Sequence, residues 1–228
     1  MPVLLEIATF DAAAALAAAD AGADRIELCA DAASGGTTPS LGAFEEVSAR
    51  LAARVVPVPV VAMLRARGGG FVYSAAEHAA MRRDAAHLVR AGADGLVFGA
   101  LRPDGTVDED ALRAIVEIAA GRPVVFHRAF DAARDASEAL DALIRCGVAR
   151  VLTSGGPGAA SEHHAALAAL VRRAAGAITV MPGGGVRAAN VAALVAAMGA
   201  REVHSAARHA ELDVLDPDEV RRLRAVLG

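Results

Sequence analysis

AGADRIELC (21–29), AGADGLVFG (91–99), CGVARVLTS (146–154) and MGAREVHSA (198–206) are four versions of one phrase. Each holds a glycine (Gly22, Gly92, Gly147 or Gly199) that can close a helix in the left-handed region just ahead of an apolar, strand-like run. Outward from these phrases, short apolar runs alternate with alanine-rich amphipathic segments along the whole chain. The pattern predicts strands near 3–8, 25–30, 58–65, 95–100, 123–129, 150–154, 177–182 and 202–206. It predicts helices near 11–21, 42–53, 75–91, 109–120, 136–146, 160–175, 187–198 and 217–227. The phrases precede the second, fourth, sixth and eighth strands. Four βαβα units without a linker make eight βα repeats, the pattern of an α/β fold of the TIM (β/α)8 barrel type, with residues 1–228 as a single domain. A doubly wound open sheet is the competing architecture, but it does not require fourfold phrasing.

Several helix starts have a chemical basis. Ser74 with Glu77 and Asp135 with Glu138 have the spacing of capping boxes. Asp216, Pro217 and Glu219 place a cap, a first-turn proline and an N3 acid together.

Composition excludes whole classes of function. A net charge of −4 leaves no electrostatic footprint for nucleic acid or an anionic membrane, and 3% aromatic residues offer few surfaces for base stacking. No apolar run reaches the roughly 20 residues of a membrane span. The start, MPVLLEIATFD, lacks the basic region of a secretory signal. Two cysteines, Cys29 and Cys146, form no disulfide framework, so a reducing cytoplasm is expected. There is no lysine: all 23 basic residues are arginine. A Schiff-base aldolase, a pyridoxal-phosphate enzyme and a Walker A nucleotide site all require a lysine, so no pyridoxal phosphate or P-loop nucleotide is expected.

In a TIM barrel the chemistry sits at the carboxyl ends of the strands, and residues i and i+2 of a strand share a face. Strand one then offers Glu6, and strand two offers Glu27 with Cys29 on the same face. Carboxylates among apolar neighbours are costly to bury unless paired or functional. Strand three offers Arg65 and Arg67, on the face of Met63, as forks for a carboxylate or phosphate. They equally offer plain ion pairs that plug the barrel top. In PVVFHRAFD (123–131) the fifth strand ends in His127, suited to proton transfer near neutral pH, while alternation turns Arg128 outward or sideways. Strands six to eight end in small residues. Ser154, Gly155, Gly156, Gly184, Gly185 and Ser205 are the expected anion-binding positions, because glycine backbones and helix N-termini receive phosphate in this part of a barrel.

Metal motifs such as HExxH, CxxC or a carboxylate cage are absent from the sequence. Cys29 and Met63 are soft donors that both read as interior on neighbouring strands, where core packing is the ordinary explanation.

The motifs GADRIELCA (22–30), SGGTTPSLG (34–42), RARGGGFVYS (65–74), VVFHRAFD (124–131), RVLTSGG (150–156) and MPGGGV (181–186), in this order, resemble the CutC family, known as copper homeostasis proteins. The resemblance runs from LLEIA (4–8) to EVHSAAR (202–208). It implies a TIM barrel, a cytoplasmic location, a homo-oligomer (dimer or tetramer) and an association with copper, but no agreed reaction. It maps the family's barrel-top groups onto Glu6, Glu27, Arg65, Arg67 and His127. Relatives can carry further cysteines where this chain reads ATFD (8–11) and FVYS (71–74), which leaves Cys29 as the metal candidate.

Two functions from different classes are therefore expected. One is copper binding, implied by the resemblance. The other is acid/base chemistry on a small anionic metabolite. A barrel kept as an interaction scaffold is a third reading, against which the charge gathered at one rim argues.

Overall fold

The computed structural model describes residues 3–209 and 214–228. Its strands are β1 (Leu4–Thr9), β2 (Arg25–Leu28), β3 (Val60–Leu64), β4 (Gly95–Phe98), β5 (Val124–Phe126), β6 (Arg150–Thr153), β7 (Thr179–Pro182) and β8 (Glu202–Ser205). They alternate with α1 (Ala12–Asp20), α2 (Leu41–Ala52), α3 (Ala75–Arg90), α4 (Glu109–Ala119), α5 (Ala136–Arg145), α6 (His164–Ala174), α7 (Ala188–Met198) and α8 (Pro217–Leu227). All ladders are parallel, in the order β7-β6-β5-β4-β3-β2-β1-β8. β7 and β8 lie side by side without a ladder, so the eight-stranded barrel is nearly closed.

The four phrase glycines have φ of 104° (Gly22), 94° (Gly92), 75° (Gly147) and 67° (Gly199). A side chain there would be strained, which explains the repeat that marks the fold. Six of the eight helices start where a short oxygen-bearing side chain accepts an amide: Asp11, Ser40, Ser74, Asp108, Asp135 and Asp216. Ser74 and Glu77 form the full capping box. Asp135 forms only half of one, because the Glu138 carboxylate is held by Arg134 instead.

The core has two parts. Outward-facing strand residues such as Leu5, Ile7, Ile26, Leu28, Phe98 and Phe126 are fully buried against the helices. Each contributes about 1.5–3 kcal/mol by leaving water. The barrel interior is divided. Val61, Met63, Val97, Val125, Leu152 and Met181 make an apolar wall from β3 to β7. The neighbouring strands β8, β1 and β2 contribute the buried groups His204, Glu6, Arg25 and Glu27.

Two segments depart from the expected pattern. β5 stops at Phe126, and residues Arg128–Ala132 form a 3-10 turn, so alternation fails beyond His127. α6 starts at His164, after a separate 3-10 turn at Ala160–Glu162.

Candidate functional site

A cleft of about 310 Å³ opens at the carboxyl ends of the strands, with Glu27, Cys29, Met63, Arg65, His127, Arg128, Gly184, Gly185 and His204 in its wall. Its floor is a buried charge network. Arg25 is paired with Glu6 and with Glu202, and Arg150 Nε donates to Glu202 at 2.7 Å. His204 Nδ1 donates to the other oxygen of Glu6 at 2.7 Å, and its Nε2 faces Glu27 Oε2 at 3.6 Å. Register explains the meeting: Glu6 is level with Arg25 on β2 and with His204 on β8.

This network sets the ionisation of the site. Burial works against charge on Glu6, but the His204 hydrogen bond and the Arg25 charge overcome it, and the carboxyl is lowered to about 2. Burial dominates at Glu27, which is raised to about 7 despite the pull of His204. Burial also opposes charge on His204, yet Glu27 and Glu6 together raise its pKa. Glu27 and His204 thus face each other as a coupled pair, each favouring a proton between them. Cys29 is pushed well above the usual thiol range by burial and then by Glu27.

His127 is a different kind of histidine. The Ala129 amide donates to its Nδ1 at 3.0 Å, so in the neutral ring the proton sits on Nε2. Burial, then the Arg65 charge, lowers its pKa to about 3. His127 is therefore a neutral N–H donor at physiological pH, and its Nε2 finds no acceptor among the described residues. Arg65 is 7% exposed and binds the carbonyls of Ser34, Gly36 and Gly69, with its guanidinium 5.1 Å from the Phe71 ring centroid. Its guanidinium also faces the Tyr73 hydroxyl, and the Cys29 thiol faces the Glu27 carboxylate.

The sequence-derived residues divide between two environments. Glu27, Cys29, Arg65, His127, Gly184 and Gly185 line the cleft, while Glu6 lies below it. Arg67 does not share the face of Arg65. β3 ends at Leu64, and the Arg67 side chain, 43% exposed, pairs with Glu77 and the carbonyls of Gly68, Gly70 and Val72. Neither Arg65 nor Arg67 plugs the barrel by pairing with Glu6 or Glu27; Arg25 binds Glu6 instead. The Ser154 amide and hydroxyl are taken up by Asp131, and the Ser205 hydroxyl donates to the Val186 carbonyl at 2.7 Å. Gly155 donates to Thr153 Oγ1, and the Gly156 carbonyl, 2.6 Å from Ser154 Oγ, is the alternative acceptor for that hydroxyl proton, so these groups serve the loop itself. The Gly184 and Gly185 amides donate to no protein acceptor among the described residues.

Sequence reading gave no role to Arg25 and His204 and turned Arg128 outward or sideways. Alternation from Glu27 and Val203 would have placed Arg25 and His204 inside. Arg128 needed the structure: the 3-10 turn swings it over the rim, where it binds Asp131 and Ser154 and its guanidinium carbon lies 3.2 Å from where a Gly184 Cβ would stand.

The residues around the cleft can accommodate copper only in part. Cys29 and Met63 are one thiol and one thioether, with His204 and Glu27 as the nearby imidazole and carboxylate, and the surroundings of Cys29 favour the protonated thiol. Among the described residues, Glu6, Glu27 and His204 also cluster closely enough to be considered as metal ligands. No helix among the described residues is long and apolar enough to cross a membrane.

Comparison with known proteins places this architecture. The CutC family model matches residues 3–209. A CutC family protein of Xanthomonas campestris pv. campestris is 48% identical over 204 residues, covering 90% of this chain and 83% of the relative. The copper homeostasis protein cutC homolog of Homo sapiens is 42% identical over 205 residues, 90% of this chain and 73% of that protein. Among solved structures, a copper homeostasis protein CutC from Streptococcus agalactiae superposes with a TM-score of 0.84 at 32% identity, covering 90% of this chain and 98% of that one. With the family's pattern running through all eight strands at this level of identity, the chain belongs to the CutC family.

Proposed function

We propose that the barrel is an enzyme performing acid/base chemistry on a small anionic metabolite. One observation carries this reading: His127 Nε2, buried and without a partner among the described residues, shares one cleft at the carboxyl ends of the strands with the Glu27 carboxylate and the Arg65 guanidinium. A buried N–H without a partner is costly, and one beside a carboxylate and a guanidinium in a concavity suggests a ligand that satisfies it. Glu27, with its pKa near neutrality, is the proton carrier, and His127 is a donor to substrate oxygen. The anionic end fits the rim at Arg128 and the amides of Gly184 and Gly185. The test is capture of small molecules from a metabolite extract by wild-type protein and by Arg65→Ala. Enrichment of an anionic species that the variant loses supports the reading; identical profiles overturn it.

Copper binding is the second reading. It is favoured by the name of the relatives and by Cys29 and Met63 side by side in the cleft wall. Cys29, Met63 and His204 would hold the ion, with Glu27 adding charge. Anaerobic titration should then show stoichiometric Cu(I) uptake, abolished in Cys29→Ser; absence of uptake by the wild type would eliminate it.

A further inference from the structure

The cleft places a carboxyl group, a neutral imidazole N–H and a guanidinium around one small volume. The imidazole cannot serve as the base. Its Nδ1 lone pair is held by the Ala129 amide, and its Nε2 carries the proton. Nor can the chain form an enamine, since it has no lysine. A carbanion made here can be carried as an oxyanion by the donors lining the cleft, His127 Nε2–H, without a partner among the described residues, and the Arg65 guanidinium.

We propose that the substrate is a small α-hydroxycarbonyl compound and that the site enolises it, with Glu27 taking the carbon-bound proton while His127 Nε2–H and Arg65 hold the carbonyl oxygen. This deepens the reading of the cleft as an active site and rests on it. The C–H bond breaks, its proton passes to the Glu27 carboxylate, and its electron pair forms the carbon–carbon double bond of an enediolate. The carbonyl π pair moves to the oxygen, where the two donors meet the new charge. Return of the proton from Glu27 to the adjacent carbon, with the hydroxyl proton crossing between the two oxygens, gives the isomeric α-hydroxycarbonyl. No electrons are gained or lost, and no co-reactant is needed.

The surroundings suit this cycle. The base must share the cleft with the two donors, and the Glu27 carboxylate does so, lining the same wall with His204 Nε2 3.6 Å from its Oε2. A neutral imidazole donates to an enediolate without first losing its proton, which the lowered pKa of His127 ensures. A cleft of about 310 Å³ is at the small end of ligand sites, consistent with a short-chain compound.

The test has two measurements. Wild-type protein is incubated in D2O with glycolaldehyde, dihydroxyacetone and dihydroxyacetone phosphate, and loss of C–H signal is followed by proton NMR. In parallel, calorimetry compares glycolohydroxamate, which mimics an enediolate, with glycolate. We expect exchange with at least one compound and hydroxamate binding at least about 100-fold tighter than glycolate. Glu27→Gln should slow exchange by about 10²–10⁴-fold and keep hydroxamate binding. His127→Ala should lose both, with partial recovery of binding in His127→Asn, which restores a donor but no proton carrier. Equal affinity for the two probes with no exchange overturns the enolisation proposal and leaves an anion-binding cleft. No binding of either probe, together with metabolite capture indifferent to Arg65→Ala, overturns both.

Discussion

His204 Nδ1 lies 2.7 Å from Glu6 Oε1, and both side chains are buried inside the barrel. The contact joins strands that are neighbours in space but lie at opposite ends of the sequence, 198 residues apart. It ties the ionisation of the cleft to the charge network beneath it, because the other imidazole nitrogen faces Glu27.

Glu6→Gln should therefore cost more stability than a surface substitution. Arg25 would keep Glu202 as its carboxylate partner, and His204 Nδ1 would lose its carboxylate acceptor. Removal of one member of a buried ion pair typically costs about 3–5 kcal/mol. Urea denaturation of the two proteins measures it, and a loss below about 1 kcal/mol would show that the pair does not carry the charge as described.

Stability against pH should reveal two opposing terms. His127 is lowered from 6.5 to about 3, so its contribution is full above pH 6.5 and is lost as the pH falls towards 3, where the unfolded chain binds a proton that the fold refuses. Glu27 is raised from 4.5 to about 7, so its contribution is full below pH 4.5 and is lost as the pH rises to 7. Between 4.5 and 6.5 the two slopes, each at most about 1.4 kcal/mol per pH unit, offset each other. Urea midpoints should fall with rising pH in His127→Gln and rise with it in Glu27→Gln, relative to wild type. Parallel curves for all three proteins would contradict the assignment.

The two arginines of RAR (65–67) should separate cleanly. Arg67→Ala removes an exposed ion pair with Glu77 and should cost about 1 kcal/mol or less, leaving metabolite capture unchanged. Arg65→Ala removes a buried fork from three carbonyls and from the cleft, so it should lower both stability and capture. Loss of capture in the Arg67 variant would mean that the surface arginine reaches the ligand.

Gly99→Ala tests the placement of His127 from the backbone side. A Cβ at this position would fall on the His127 ring and come within 2.9 Å of the Ala129 Cβ. Overpacking of this kind costs about 1–3 kcal/mol, and here it should also break the Ala129–His127 hydrogen bond. The His127 ring nitrogens, followed by nitrogen NMR, should then leave the single-tautomer pattern; an unchanged spectrum would show that the amide does not fix the tautomer.

The fold could be read from the sequence because its cause is local. A glycine in the left-handed region before each strand of a repeated phrase, and Ser or Asp at the helix starts, act over a few residues, so spacing alone locates the elements. Membership of the site was less accessible. Glu27, Cys29, Arg65 and His127 follow from alternation within a strand and do line the cleft. Alternation misplaces Arg67 because β3 ends three residues earlier, and it misplaces Arg128 because a 3-10 turn replaces the extended chain.

By itself the sequence determined eight βα units, the absence of lysine chemistry and the side chains offered at each strand end. Only the tertiary structure decided which charges meet: Glu6 with Arg25 and His204 across register, Asp131 with the donors of Ser154, and His127 with the Ala129 amide. Secondary structure depends on neighbours along the chain, which a sequence displays. The ionisation and tautomer of a buried group depend on what the closed barrel places within a few ångströms of it, which a sequence does not.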